Sequence, residues 1–260
     1  MLNLISYRFF IFNSIKTELL SRFSRSRLGL LWLIVNPLMQ VLIYAIVLSN
    51  VMISKLPGLP NKYSYVIYLL SGMLMWAFFS ESFGRCVNCF VDNANLIKKI
   101  HFPIFILPII PIISSALNNV ILFFCVIIVY IILGHNVGVS IFYLPLVFFI
   151  VAMISFGYGF FLGLINIFLR DISHIVGIML QFMFWLTPIV YMDNIVPDKF
   201  KILLNINPLA SLLSFYHDIL IYNKTPSFTE LIYPFLFAMV GVFLSALLYS
   251  RICSEMADVL

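Results

Sequence analysis

Near the start of the chain Trp32, Asn36, Gln40 and Tyr44 recur at steps of four, with apolar residues almost everywhere between them. On a helix each step of four advances about 400°, so they form one polar-aromatic stripe that winds by about 120° over its length. Gln181, Trp185 and Pro188 make a comparable arrangement further on. Aromatic faces beside amides suit sugar rings, whose C–H faces stack while their hydroxyls take hydrogen bonds. Taken singly, such residues also serve helix packing, with Asn and Gln bonding across an interface and Trp at a membrane boundary. A dense cationic zone joins Arg22, Arg25 and Arg27 to Lys98 and Lys99. It fits anchoring to anionic headgroups, or guidance of a pyrophosphate group.

The groups that acid–base or metal chemistry needs are scattered. His101, His135, His174 and His217 are spread along the chain, and His217 and Asp218 are neighbours in sequence. Adjacent residues on a helix point about 100° apart, which makes them a poor catalytic pair. Cys86-x-x-Cys89 is half of a zinc or redox motif, without a second pair or a His at ligand spacing, and reads as packing. Arg170-Asp171 reads as a turn in which each residue complements a helix dipole. No Gly-x-x-x-x-Gly-Lys-Ser/Thr phosphate loop occurs. The expectation is therefore no catalytic residue, no metal and no cofactor on this chain.

The elements that position these residues must lie in a bilayer. Of 260 residues, 63% are apolar and 10% charged, against roughly 45–50% and about 25% in a soluble domain. With 15 Lys+Arg and 10 Asp+Glu the surface of a soluble monomer could not be covered, so apolar surface must face lipid. Six runs meet the length of about 20 residues for a crossing: 30–53, 65–84, 105–133, 142–169, 172–191 and 231–250. Pro108 and Pro111 are expected to kink or delay the third. Ahead of the first, residues 1–29 combine Arg8, Lys16 and the three later arginines with Ile5, Phe9, Phe12, Ile15, Leu19 and Phe23 at steps of three and four. That is an amphipathic helix lying on a membrane surface or against a partner. The fold class is an all-α integral membrane protein: an interface helix over 1–29, a six-helix domain over 30–252 and a tail over 253–260. Its apolar 192–228 region is expected to form short re-entrant helices outside the fifth span.

An N-terminus on the cytoplasmic side puts ten basic residues inside, Arg85, Lys98, Lys99, Arg170 and Arg251 among them, and five outside. Both termini are thus expected in the cytoplasm. Glu81, Arg85, Arg170 and Asp171 fall near the predicted cytoplasmic ends, and the span centres hold no ionisable residue. Ion-coupled transport lacks its groups; energy must come from another polypeptide. The net charge of +5 sets orientation, and nucleic-acid binding is not indicated.

Several fragments, in this order and spacing, carry a resemblance: Arg27-Leu28-Gly29-Leu30-Leu31-Trp32, Asn36-Pro37-Leu38, Ile97-Lys98-Lys99-Ile100-His101-Phe102-Pro103, Asn166-Ile167-Phe168-Leu169-Arg170-Asp171-Ile172, Trp185-Leu186-Thr187-Pro188-Ile189-Val190-Tyr191 and Asn207-Pro208-Leu209. The chain resembles the permease subunit of type 2 ABC exporters of polysaccharide, which move lipid-linked O-antigen, capsule or teichoic-acid chains. The resemblance implies a homodimer bound to two copies of an ATPase subunit that holds ATP and magnesium. It further implies a bacterial inner-membrane location and an undecaprenyl-pyrophosphate-linked glycan as cargo. Trp32, Asn36, Gln40, Tyr44, Gln181 and Trp185 would then line the path, while Arg22, Arg25 and Arg27 would meet the pyrophosphate or lipid headgroups. Asn95, Leu96, Ile97, Lys98, Lys99 and Ile100, within 92–103, would couple to the ATPase, and 192–228 would form the external gate. An exporter of drugs or small lipids and a membrane-embedded glycan-modifying enzyme are the alternatives.

Overall fold

A computed structural model of the chain describes residues 7–23, 31–32, 35–36, 39, 43, 63–99, 103–192, 196–225 and 227–252. These residues are helical with connecting turns, and no strand occurs among them. In chain order the helices are α1 (Arg8–Phe23), α2 (Ser64–Asp92), α3 (Ala94–Lys99), α4 (Ile109–Ile132), α5 (Leu144–Phe168), α6 (Ile172–Leu186), α7 (Asp198–Ile206), α8 (Pro208–Leu220) and α9 (Phe228–Ile252). Single 3₁₀ segments, Ile104–Ile106 and Val139–Tyr143, lead into α4 and α5.

Among the described residues four helical stretches are long and apolar enough to cross a membrane: Ser64–Asp92, Ile104–Ile132, Val139–Phe168 and Phe228–Ile252. They correspond to the second, third, fourth and sixth predicted runs. The first run, 30–53, and the tail 253–260 lie largely or wholly outside the described residues. The fifth run, 172–191, is divided: α6 is apolar but stops at Leu186, and Thr187 to Tyr191 turn away before Met192. Pro188 explains the stop, because it cannot supply an N–H to continue the helix. Pro108 delays the third span as expected, standing at the N-cap of α4. α2 differs most, running eight residues past the predicted end at Gly84 to Asp92.

Helix α2 is the central element, with most of its residues buried. It packs on α4 and α5, and α9 covers the other side of α5. In a bilayer, apolar side chains gain little by leaving lipid for one another, so close backbone approach and polar bonds between helices hold the bundle. Both are present. A Cβ on Gly157 of α5 would stand 2.5 Å from the Val242 backbone N of α9, and one on Gly159 would stand 2.7 Å from the Cys86 Cβ of α2. Between helices, Tyr130 donates to the Ile67 carbonyl at 2.7 Å, Asn119 to the Leu74 carbonyl at 2.8 Å and Asn166 to the Val87 carbonyl at 3.1 Å. The Ser82 and Ser155 hydroxyls lie 2.8 Å apart.

At the opposite end from α1, α7 and α8 form the short helices expected within 192–228. Asn207 caps α8, accepting from the Leu209 N–H at 3.0 Å and donating to Thr187 at 3.1 Å. Such a cap satisfies a backbone donor that the first turn leaves free. Helix α8 is largely buried against α2, with Leu212, Leu213 and Tyr216 inside. The segment after α6 is pinned by Tyr65, which donates to the Val190 carbonyl at 2.8 Å, and by Tyr68, within 2.9 Å of the Pro188 carbonyl. Asn223, at φ 54°, closes the α8 end by bonding Gly138 and Asn136.

Candidate functional site

Two concave regions gather the residues singled out from sequence. The first is a groove of about 550 Å³ between α2 and α6, lined by Met73, Trp76, Ser80, Gln181, Phe184 and Trp185 among others. Gln181 and Trp185 are exposed on α6, one turn apart. Trp76 meets Phe184 edge-on at 5.5 Å, and Phe184 meets Trp185 in the same way at 5.5 Å. The groove thus has three aromatic walls with an amide and a hydroxyl beside them. Trp76, Ser80 and Phe184 were not selected from sequence: Phe184 shares α6 with Gln181 but sits in an apolar run, and Trp76 and Ser80 reach Gln181 through the α2–α6 contact. Of the earlier stripe, Trp32 is half-buried and Asn36 is exposed. Gln40 and Tyr44 lie outside the described residues, so the joining of the two stripes is not defined.

The second region is a cavity of about 610 Å³ between α1, α3 and the ends of α2 and α4. Asn13, Ser14, Thr17 and Glu18 of α1 face Arg85, Cys89 and Asp92 of α2 across it, with Leu96 of α3 on its wall. Of the α3 residues, Ile97 is buried, Leu96 half-buried, and Asn95 and Lys98 exposed. Nothing is described of the Arg22 and Lys99 side chains, and Arg25, Arg27 and Ile100 lie outside the described residues.

Arg85 ties this region together. It forms an ion pair with Glu18 of α1, and its Nη1 lies 3.4 Å from Glu81 Oε1, 3.4 Å from the Pro111 carbonyl and 3.1 Å from Ser115 Oγ. Asn118 donates to the same Glu81 oxygen at 3.0 Å. Read from the sequence alone, Glu81 and Arg85 belong to the edge of a span. Because α2 continues to Asp92, they stand two to three turns inside the helix, and the charge is tolerated because it is paired. Sequence carries a faint signal for this, the i, i+4 spacing of Glu81 and Arg85, but none for Glu18 as a partner.

The remaining candidates take structural places. Cys86 and Cys89 are buried thiols, the Cys86 Sγ lying 3.3 Å from the Pro108 carbonyl. Among the described residues no cluster of His, Cys, Asp and Glu is arranged to hold a metal. His217 is buried with its ring 3.9 Å from that of Tyr68, and burial pushes its pKa down to about 3. Asp218 is half-buried, and burial raises its carboxyl pKa. The neighbours do not form an acid–base pair. Arg170 and Asp171 are exposed in the turn between α5 and α6.

Apolar helices long enough to span and a half-buried helix at one end of the bundle define a polytopic membrane protein. A family model described as ABC-2 type transporter matches residues 11–221, and the chain belongs to that family. It is 29% identical over 207 residues to an O-antigen export system permease protein, RfbA, of Klebsiella pneumoniae, covering 78% of this chain and 76% of that one. To the protein of the same name from Myxococcus xanthus it is 27% identical over 225 residues, covering 86% and 84%. The polysialic acid transport protein KpsM of Escherichia coli is 23% identical over 237 residues, 89% of each chain. The family is one of transporter permease subunits.

Proposed function

We propose that this protein is the membrane permease subunit of an ATP-driven exporter that moves lipid-linked polysaccharide, such as O-antigen or capsule, across the bacterial inner membrane. The reading is carried by likeness, over most of the length of both chains, to permeases named for O-antigen export and polysialic acid transport. The aromatic groove at Trp76, Phe184 and Trp185 supports it, since a path for sugar rings needs flat apolar faces beside amides. Ionisable side chains around that groove are absent from its described lining, which fits an energy source on another polypeptide.

On this reading the ATPase subunits, holding ATP and magnesium, dock at the cytoplasmic face on α1 and on the 92–103 connection, where Lys98 is exposed and Lys99 follows it in sequence. Arg22, Arg25 and Arg27 receive the pyrophosphate or anionic lipid. Residues 30–53 and 172–191 supply the remaining two of six spans, both termini are cytoplasmic, and α7 and α8 dip into the outer leaflet. Two copies assemble on this reading, and α6 offers a face for it: it buries Val176 but leaves Ile175, Ile178, Phe182 and Trp185 more than half exposed. A helix of 15 residues spans roughly 22 Å, short of the hydrocarbon core, and its exposed face is open to close packing against a partner copy.

Deletion of the gene in its host tests the function. Lipid-linked polymer trapped on the cytoplasmic face and missing from the surface is the expected result. Normal surface glycan would transfer the protein to the export of small molecules, and a polymer never completed would point to glycan modification.

A further inference from the structure

We propose that Arg85 is a positioning residue, the pivot through which α1 is fixed to the transmembrane helices, so that movement of α1 and α3 reaches α2 and α4 through one charge network. The inference rests on the exporter reading and goes beyond it to the route of coupling.

Arg85 donates to partners on three elements: Glu18 on α1, Glu81 on its own α2, and Pro111 and Ser115 on α4. Glu81 is held in turn by Asn118 of α4. On the α1 side, Ile15 is buried in one apolar cluster with Ile97 of α3, Cys89 and Phe90 of α2, and Leu107 and Ile110 at the start of α4. Helices α1 and α3 therefore share a support. The cavity of about 610 Å³ lies between this support and the spans, so α1 touches them through the apolar cluster and the Glu18–Arg85 pair, with open space beside both. A slide of the apolar cluster costs little because such contacts are non-directional. The guanidinium fork is directional, and it sets where α1 sits relative to α2 and α4.

Charge gives the arrangement a second property. Two carboxylates share one guanidinium, and Asp92 stands on the same cavity wall. Loss of Arg85 would leave like charges facing one another across the α1–α2 contact, driving α1 away instead of merely releasing it. A salt bridge of this kind adds little net stability compared with apolar packing; what it supplies is a defined position.

The test uses the full exporter, permease and ATPase together, in membranes of the host. Glu18→Gln, Glu18→Arg, Arg85→Glu and the double exchange Glu18→Arg with Arg85→Glu are compared at equal membrane abundance. Surface polysaccharide and ATP hydrolysis are both measured. Glu18→Arg and Arg85→Glu are expected to lower export at least tenfold while hydrolysis persists, and the exchange to recover it to within about threefold of the parent. An exchange no better than Arg85→Glu, or normal export by Glu18→Arg, would overturn the proposal. Should Arg85→Glu fail to accumulate, the Glu18 variants decide, since α1 lies outside the candidate spans: export must fall in Glu18→Arg, and parental export there would sink the pivot whatever Glu18→Gln does. Failure of the exporter reading itself shows separately, as normal surface glycan after gene deletion.

Discussion

Replacing Gly157 by Ala should destabilise the protein, although alanine is the better helix former by about 1 kcal/mol. The added Cβ would lie 2.5 Å from the Val242 nitrogen, 2.6 Å from the Gly241 carbonyl carbon and 3.0 Å from the Gly241 Cα. All three atoms are backbone, so no side-chain rotation relieves the overlap. To reach an ordinary contact, α5 and α9 would have to separate by about 1 Å along the line of contact, and overpacking of this severity costs about 3 kcal/mol. The net loss is then about 2 kcal/mol, a roughly 30-fold shift toward the unfolded state. Gly177 of α6 is the internal control: a Cβ there meets nothing within 4 Å, so Gly177→Ala should raise stability by up to about 1 kcal/mol through propensity. Denaturant titration of the purified protein in detergent, followed by tryptophan fluorescence, separates the two. A Gly157→Ala protein as stable as the parent would refute the claim that α5 and α9 meet backbone to backbone.

Changing Lys98 and Lys99 to Glu should leave the protein folded and in the membrane but uncouple ATP hydrolysis from export, read as hydrolysis without surface polymer; normal export would remove 92–103 from the coupling path. Trp185→Ala, and separately Trp32→Ala with Tyr44→Ala, should slow the appearance of long chains on the surface more than short ones, and unchanged chain lengths would return these residues to helix packing. Stability should also fall in mild acid through His217. Burial holds its folded pKa near 3, below the value of about 6.5 it has in an open chain, so the open state takes up the proton first. The His217 contribution is intact above about pH 6.5 and is lost as pH falls toward 3, by about 2 kcal/mol at pH 5. His217→Phe should flatten that part of the stability profile, and an unaltered acid dependence would refute the assignment.

The spans at 65–84, 105–133, 142–169 and 231–250 could be read from the sequence because lipid imposes a local rule: a helix that satisfies its own backbone must be apolar for some 20 residues, whatever it packs against. The same holds for the proline delay before α4, which depends on Pro108 and not on a distant partner. The charge of Arg85 escapes that rule. Its place inside α2 depends on Glu18, Ser115 and Asn118, residues 30 or more positions away that a window of 20 cannot see. Trp76 is indistinguishable in sequence from any other aromatic in an apolar run until α6 crosses α2 and sets Phe184 against it, one turn from Gln181. His217 shows the reverse: adjacency to Asp218 hints at chemistry, and burial against Tyr68 removes it. Composition and hydropathy thus determined that the chain crosses a membrane and roughly where, because each is a property of short segments in contact with lipid or water. Which polar groups meet, and which aromatic faces line a groove, was decided by helix packing alone, since those contacts join residues that share no local pattern.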